Sequence, residues 1–380
     1  MLKKRLINVI EFLNTTLDDF ILKTLNPATN NTTVCLEDRT IGDSLLKLPY
    51  YSQLTDEDIL ILCGKNAEIF KHFLPKIKSV DIQVESFFRS PKYRYTKLNE
   101  ISPNRTIPKR LLVTIPYRPT RFMKLAQRLP INEKLAYQGE SLLSNSIDYS
   151  FDKNFKIIHN DNFRIAGKFD THFSQHIKTL FEYAFDKELE VTKDDYLNFF
   201  SSSIVKNSSL KDYIVIMADS ARYFRKYPDL NWQIILNNLP KDLKIIVLGT
   251  SEVNLQHPNL INMINKTTLL EAIRLIQNAK LVIGNETGLT HLAYLSGIPT
   301  ICILSGGHFK RFLPWDDFSD IVECIYKPMN CFQCNWNCKF ANIKENDITP
   351  PCLNISPNIV LEKIEIFNQK YNIFSQNKII

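Results

Sequence analysis

At 380 residues the chain is long enough for two domains, each with a full hydrophobic core. Its 44% hydrophobic and 23% charged residues exclude bulk disorder and a coiled coil. The net charge of +7, from 47 basic and 40 acidic side chains, favours anionic ligands or anionic lipid headgroups, and no nucleic-acid partner is expected. Glycine is scarce, 10 in 380 against a usual share of about 7%, so each glycine marks a place where a side chain does not fit. No run approaches the roughly 18 apolar residues of a membrane-spanning helix. The basic start Lys3-Lys4-Arg5 is followed by no small-residue cleavage site, which predicts a cytoplasmic chain with mostly reduced thiols.

In chain order, apolar residues from Leu6 to Leu25 recur at helical spacing. They predict an amphipathic helix, either packed on the body or lying on a membrane surface behind its basic start. Asn26-Pro27 ends it. Residues 33–36 read as a short buried strand, followed by a loop to Asp43 and an apolar helix from Ser44. Strands are predicted at 58–63, 80–84 and 111–115, and helices at 67–73 and 176–185. Residues 86–108 and 141–175 show little periodicity and read as excursions, and 190–210 as an irregular divide. Beyond it, strands are predicted at 213–217, 243–248, 281–284 and 300–304, the last of the series. Helices intervene at 229–239, at the capping box Thr268–Glu271, and at 288–296, where Gly297 and Pro299 stop the chain. A terminal helix covers 358–371. Alternating strands and helices predict an α/β protein of two doubly wound parallel sheets. The expected division is an N-terminal extension over 1–29, a first domain over 30–209 and a second over 210–380.

Ligands of open parallel sheets bind outside the carboxyl ends of the strands. Six of the ten glycines fall between Gly249 and Gly307, which places a ligand approached by backbone in the second domain. In the run from Leu281 to His291 a strand ends at Gly284 and a helix starts near Thr287. The free amides around Gly288, Leu289 and Thr290 suit a phosphate. Thr287 and Thr290 add hydroxyls and His291 a donor; equally, Thr287 is a cap and His291 a satisfied core residue. The loop after strand 213–217 brings Ser220 together with the cations Arg222, Arg225 and Lys226, either a diphosphate clamp or solvated charges. Gly306 and Gly307 close the same edge, as a close approach or a plain turn. In the first domain Asp43 sits near a helix start, either as its N-cap or as a general base.

These motifs, in this order, resemble glycosyltransferase family 9, the ADP-heptose lipopolysaccharide heptosyltransferases. The resemblance rests on Ile41-Gly42-Asp43 through Pro49, Ser220 through Pro228, Gly249, Lys266 through Leu269, Leu281 through Ala293, Gly297-Ile298-Pro299 and Gly306, and spans about 32–360. It implies a GT-B fold of two Rossmann-like domains facing a cleft, and inverting, metal-independent sugar transfer from a nucleoside diphosphate, ADP-heptose, to a glycolipid at the inner membrane face. It implies Asp43 as base, Ser220 and Arg225 at the donor phosphates, and Gly288, Leu289 and His291 on the diphosphate-binding helix start. The chain departs from the family at Glu286, where Asp is usual, and at Ser305-Gly306-Gly307-His308-Phe309, where Gly-Pro-Thr is usual. The alternatives are another GT-B nucleotide-sugar transferase, or a non-catalytic nucleotide-binding or zinc-stabilised interaction protein.

The cysteines Cys331, Cys334, Cys338 and Cys352 have a spacing that suits a structural zinc. Reduced thiols packing a loop, with Phe332, Trp336 and Phe340 between them, are the other reading.

Overall fold

The computed structural model describes residues 26–37, 41–63, 67–102, 106–114, 120–137, 155–158, 172–203, 211–220, 223–334, 338–340 and 349–374. The helix expected over 1–25 lies outside them, as does Arg222. Contacts divide the chain into two compact units. One comprises Met1–Thr40, Tyr50–Asp161 and His176–Leu189, the other Ile41–Pro49, Asn162–Gln175 and Glu190–Ile380. The described residues 41–49, 172–175 and 190–203 thus pack with the second unit, where the sequence suggests one division near 209.

The first unit is built on a six-stranded parallel sheet in the order β3-β2-β1-β4-β5-β6. The strands are β1 (Asn26–Glu37), β2 (Ile59–Leu62), β3 (Lys78–Asp81), β4 (Thr106–Val113), β5 (Glu133–Tyr137) and β6 (Lys156–Ile158). β2 is buried along its whole length, as a strand covered on both faces must be. Val34, Leu36, Ile61, Leu111 and Val113 meet in the core with Phe87, Phe122 and Leu125 from helices.

The second unit repeats the topology. Its sheet runs β12-β11-β10-β7-β8-β9, which is the first order read from the other edge. Its strands are β7 (Tyr213–Met217), β8 (Lys244–Val247), β9 (Leu260–Asn262), β10 (Leu281–Asn285), β11 (Thr300–Ile303) and β12 (Val322–Ile325). Both sheets have the strand order of a dinucleotide-binding fold, whose direction reverses between β1 and β4 and between β7 and β10.

Several elements differ from the sequence reading. β1 starts at Asn26, because its polar first half pairs only with β4 and does so irregularly, with register shifts between Asn26 and Thr29 and between Asn30 and Thr33. α1 begins at Ile41 and ends at Lys47, and α2 (Ala67–Phe73) falls where expected. Most of 86–108, expected to be an excursion, is structured: α3 (Val84–Arg89), α4 (Pro91–Ile101) and the start of β4. α4 buries only Arg94, Leu98 and Ile101, so its apolar stripe is too thin to show as a period. Ser90 starts it, accepting from Tyr93 N at 3.2 Å ahead of a proline at the first helical position. The helices α5 (Thr120–Arg128) and α6 (Phe173–Phe185) follow. In the stretch read as irregular lies α7 (Lys193–Ser201), opened by a Thr192–Asp195 capping box. Among the described residues, β5, β6, β9 and β12 were not foreseen, so the strand at 300 is not the last. The remaining helices are α8 (Asp229–Asn237), α9 (Leu269–Gln277), α10 (Gly288–Leu295) and α11 (Pro357–Tyr371). Among the described residues no helix is long and apolar enough to cross a membrane.

Candidate active site at the carboxyl ends of the second sheet

The site is built where β7 and β10 separate. β10 runs fully buried to Asn285, and Glu286 and Thr287 carry the chain into α10. Thr287 is the N-cap: its hydroxyl accepts from Thr290 N at 3.4 Å. The Thr290 hydroxyl donates back to Asn285 O at 2.6 Å and lies 3.0 Å from Thr287 Oγ1, so it joins strand to helix. Gly288 and Leu289 are half-buried in the first turn, which carries the amides and positive end of the helix.

Two glycines bring a second helix onto this turn. A Cβ on Gly288 would lie 2.6 Å from Ile41 Cβ and 2.8 Å from Gly42 N. A Cβ on Gly42 would lie 3.1 Å from His291 Cδ2 and 3.5 Å from Gly288 Cα. α1 and α10 therefore meet backbone to backbone, which only glycine permits at Gly288. Asp43 is the third residue of α1, inside its first turn rather than at the N-cap, and is half-buried. Tyr196 of α7 holds the other end of α1, its hydroxyl donating to Leu46 O at 2.8 Å.

Glu286 is 3% exposed, and burial pushes its carboxyl up to about 7. The positive charges of Arg225 and Arg311 oppose this, and Asp43 adds to it. All four groups belong to the second unit. His291 is buried and forced down to about 3, by desolvation first and then by the fields of His172 and Arg225. It is a neutral imidazole at physiological pH, with Nδ1 2.9 Å from Tyr294 Oη. Ser174 N donates to Nδ1 of His172, whose Nε2 lies 2.9 Å from Phe312 O.

The loop after β7 is fixed from two sides. Asn285 Nδ2 donates to Ala218 O at 2.7 Å, and its Oδ1 accepts from Tyr227 N at 3.0 Å. Asp219 Oδ2 accepts from Thr250 N and Ser251 N, each at 2.9 Å. Burial alone would raise the Asp219 carboxyl, but these amides hold it below its ordinary value. Ser220 and Arg225 are half-buried on this loop. Lys226 is drawn instead to α8, where Nζ lies 3.0 Å from Asp229 Oδ1. Gly306 is buried just beyond β11.

The structure thus brings together Asp43, Arg225, Glu286, Thr287, Gly288, Leu289, Thr290 and His291. Sequence reasoning gave no role to Asn285, inside the run Leu281–His291, to His172, inside the excursion 141–175, or to Arg311, which it did not single out. It also missed a cavity of about 550 Å³ beside the loop after β8, lined by Glu252, Asn254, Asn262, Asn265 and Lys266. The signal for the cavity was the gathering of Asn262, Asn265 and Lys266 within five residues. No cysteine is in a disulfide. Among the described residues no three His, Cys, Asp or Glu side chains are placed to hold a metal ion. Burial raises the Cys352 thiol, and Cys338 and Cys331 lie within electrostatic reach of it.

Two Rossmann-ordered sheets are the architecture of the GT-B fold, and solved structures share it. ADP-heptose lipopolysaccharide heptosyltransferase II of E. coli superposes with a TM-score of 0.61 at 14% identity, over 90% of this chain and 99% of that one. A family 9 glycosyltransferase of Veillonella parvula gives 0.61 at 13%, over 91% and 100%. E. coli heptosyltransferase WaaC with ADP-2-deoxy-2-fluoro heptose gives 0.58 at 13%, over 88% and 99%. The sequence profile of glycosyltransferase family 9 (heptosyltransferase) matches residues 141–340, more than half of the chain. The chain belongs to that family. No curated protein matches it in sequence.

Proposed function

We propose that the protein transfers a heptose, with inversion, from a nucleoside diphosphate to a lipopolysaccharide or lipooligosaccharide core acceptor. The observation that carries this is the packing of the Asp43 helix on the first turn of α10, which sets a carboxylate beside an anion-binding helix start. The diphosphate would lie on the amides of Gly288 and Leu289, with Arg225 and Ser220 on its oxygens. His291, neutral, would act by hydrogen bonding rather than by charge. The cavity lined by Glu252, Asn262 and Lys266 would take the nucleoside, the acid facing ribose hydroxyls. Adenine is favoured because WaaC, of the same fold, is described with an ADP-heptose analogue.

In this reading Asp43 takes the proton of the acceptor hydroxyl as its oxygen attacks the anomeric carbon. The bond from that carbon to the diphosphate breaks on the opposite face, and its electron pair leaves with the phosphate. Helix amides and Arg225 stabilise the leaving charge, so no divalent metal is required. The lipid of such an acceptor and the net charge of +7 support peripheral binding at the cytoplasmic face of the inner membrane.

The test is transfer from ADP-, UDP-, GDP- and CDP-sugars in EDTA, with mass spectrometry of the product. ADP-heptose should give the largest turnover. Asp43→Asn should lower it by roughly 10²–10⁴-fold while calorimetric donor binding survives. Near wild-type turnover in that variant would remove Asp43 from the chemistry.

A further inference from the structure

The loop Ser305–Phe309 departs from the family pattern and follows β11 directly beside the site. Asn285 pairs with Ile303, and Glu286 N donates to Ile303 O, so the register carries Ser305 level with Thr287. Ser305 is 2% exposed, and its hydroxyl has no hydrogen-bond partner among the described residues. A loop with two adjacent glycines has no conformation of its own, so something else must hold it.

The first turn of the cysteine-rich segment does so at Gly306. A Cβ on Gly306 would lie 2.5 Å from Phe332 Cδ1, so the phenyl ring occupies the space of the missing side chain. Gln333 N donates to Gly306 O at 2.7 Å, and Gln333 Nε2 donates to Phe309 O at 3.2 Å. Gln333 does this from a left-handed conformation, φ 64°, which a non-glycine residue adopts only where its surroundings impose it. The Gly306 backbone lies beside the Cys352 thiol and favours its ionised form. Phe309 closes the arrangement, with its ring centroid 4.8 Å from those of Phe332 and Tyr326.

We propose that Phe332 and Gln333 are positioning residues for the donor-side loop, and that they determine how the transferred sugar seats beside Ser305. This rests on the sugar-transfer reading above. The nucleoside and diphosphate sites lie at β8, β7 and α10, on other segments, so the free nucleotide should not sense this clamp, whereas the sugar should. A misplacement of about 1 Å in a positioning element is enough to cost roughly 10²-fold in rate.

The experiment compares Phe332→Ala, Phe332→Tyr and Gln333→Ala in the full chain, with folding checked by circular dichroism. The readouts are calorimetric Kd for ADP and KM and kcat for the best nucleotide sugar. In Phe332→Ala and Gln333→Ala, kcat/KM should fall by roughly 10-fold or more with ADP affinity unchanged within about twofold, and Phe332→Tyr should restore most of the loss. Unchanged kinetics in folded Gln333→Ala would overturn the proposal even if Phe332→Ala fails to fold. So would a parallel loss of ADP affinity, which marks a merely structural role. Failure of the sugar-transfer reading is seen separately, as a wild-type chain that transfers no sugar from any donor.

Discussion

Glu286 and His291 sit five residues apart, and burial moves them in opposite directions. Glu286, raised from an ordinary 4.5 to about 7, binds its proton more tightly folded than unfolded. Its contribution is complete below pH 4.5 and is lost as pH rises through 7, roughly 3 kcal/mol in all. His291, lowered from 6.5 to about 3, contributes stability that is complete above pH 6.5 and is lost as pH falls through 3. Between 4.5 and 6.5 the two slopes oppose. In Glu286→Gln only the His291 slope remains, so the urea midpoint should climb more steeply with pH than in the wild type. Parallel curves for the two chains would show that Glu286 does not titrate in that window. The identity of both residues was legible in the sequence, but their charge states were not. Those depend on Arg225, Arg311 and Asp43, which the chain brings from three separate loops and helices.

At the scale of elements, the junction of α1 and α10 is where two backbones come closest in the site. An alanine at Gly288 would force its Cβ against Ile41 and the Gly42 backbone, and a backbone cannot swing aside as a side-chain end can. Gly288→Ala should cost about 1–3 kcal/mol of stability. It should lower transfer as well, because α1 carries Asp43, the proposed base; unchanged turnover would mean the contact does not position that residue. Helices with explicit caps or broad apolar faces were readable, as at Thr268 for α9 and at Ala67 for α2. The misses have physical causes. α4 is polar nearly all round, β9 is three residues long and half exposed, and α7 begins with Lys-Asp-Asp, so its start reads as a loop. Each is held by neighbours more than by its own pattern, as with Tyr196 of α7 bonded to Leu46 O.

For the whole molecule, the net charge of +7 and the amphipathic run over 1–25 bear on location. Basic residues are attracted to an anionic leaflet by about 1 kcal/mol each, within a Debye length. The full chain should sediment with anionic vesicles at low salt and release near roughly 0.5 M salt, and a chain lacking 1–25 should bind less. Equal binding by both chains would acquit the N-terminal segment, and no binding by either would refute membrane attachment.

Strand and helix alternation, the glycine clustering and the sequence from Leu281 to His291 were enough by themselves to determine two parallel α/β sheets and a phosphate-suited helix start in the second. These are local properties: a covered strand must be apolar throughout, and a helix start must be capped. The partners of that start were decided only by the tertiary structure. Asp43 follows the first strand in sequence, yet its helix packs with the second unit, because Gly42 and Gly288 let two backbones meet. Lys226, a cation by sequence, turns to Asp229, while Arg311, unremarked in the sequence, is buried within the field of Glu286. The meeting of Gly42 with Gly288 joins residues more than 200 positions apart, at a distance where neither periodicity nor propensity carries information.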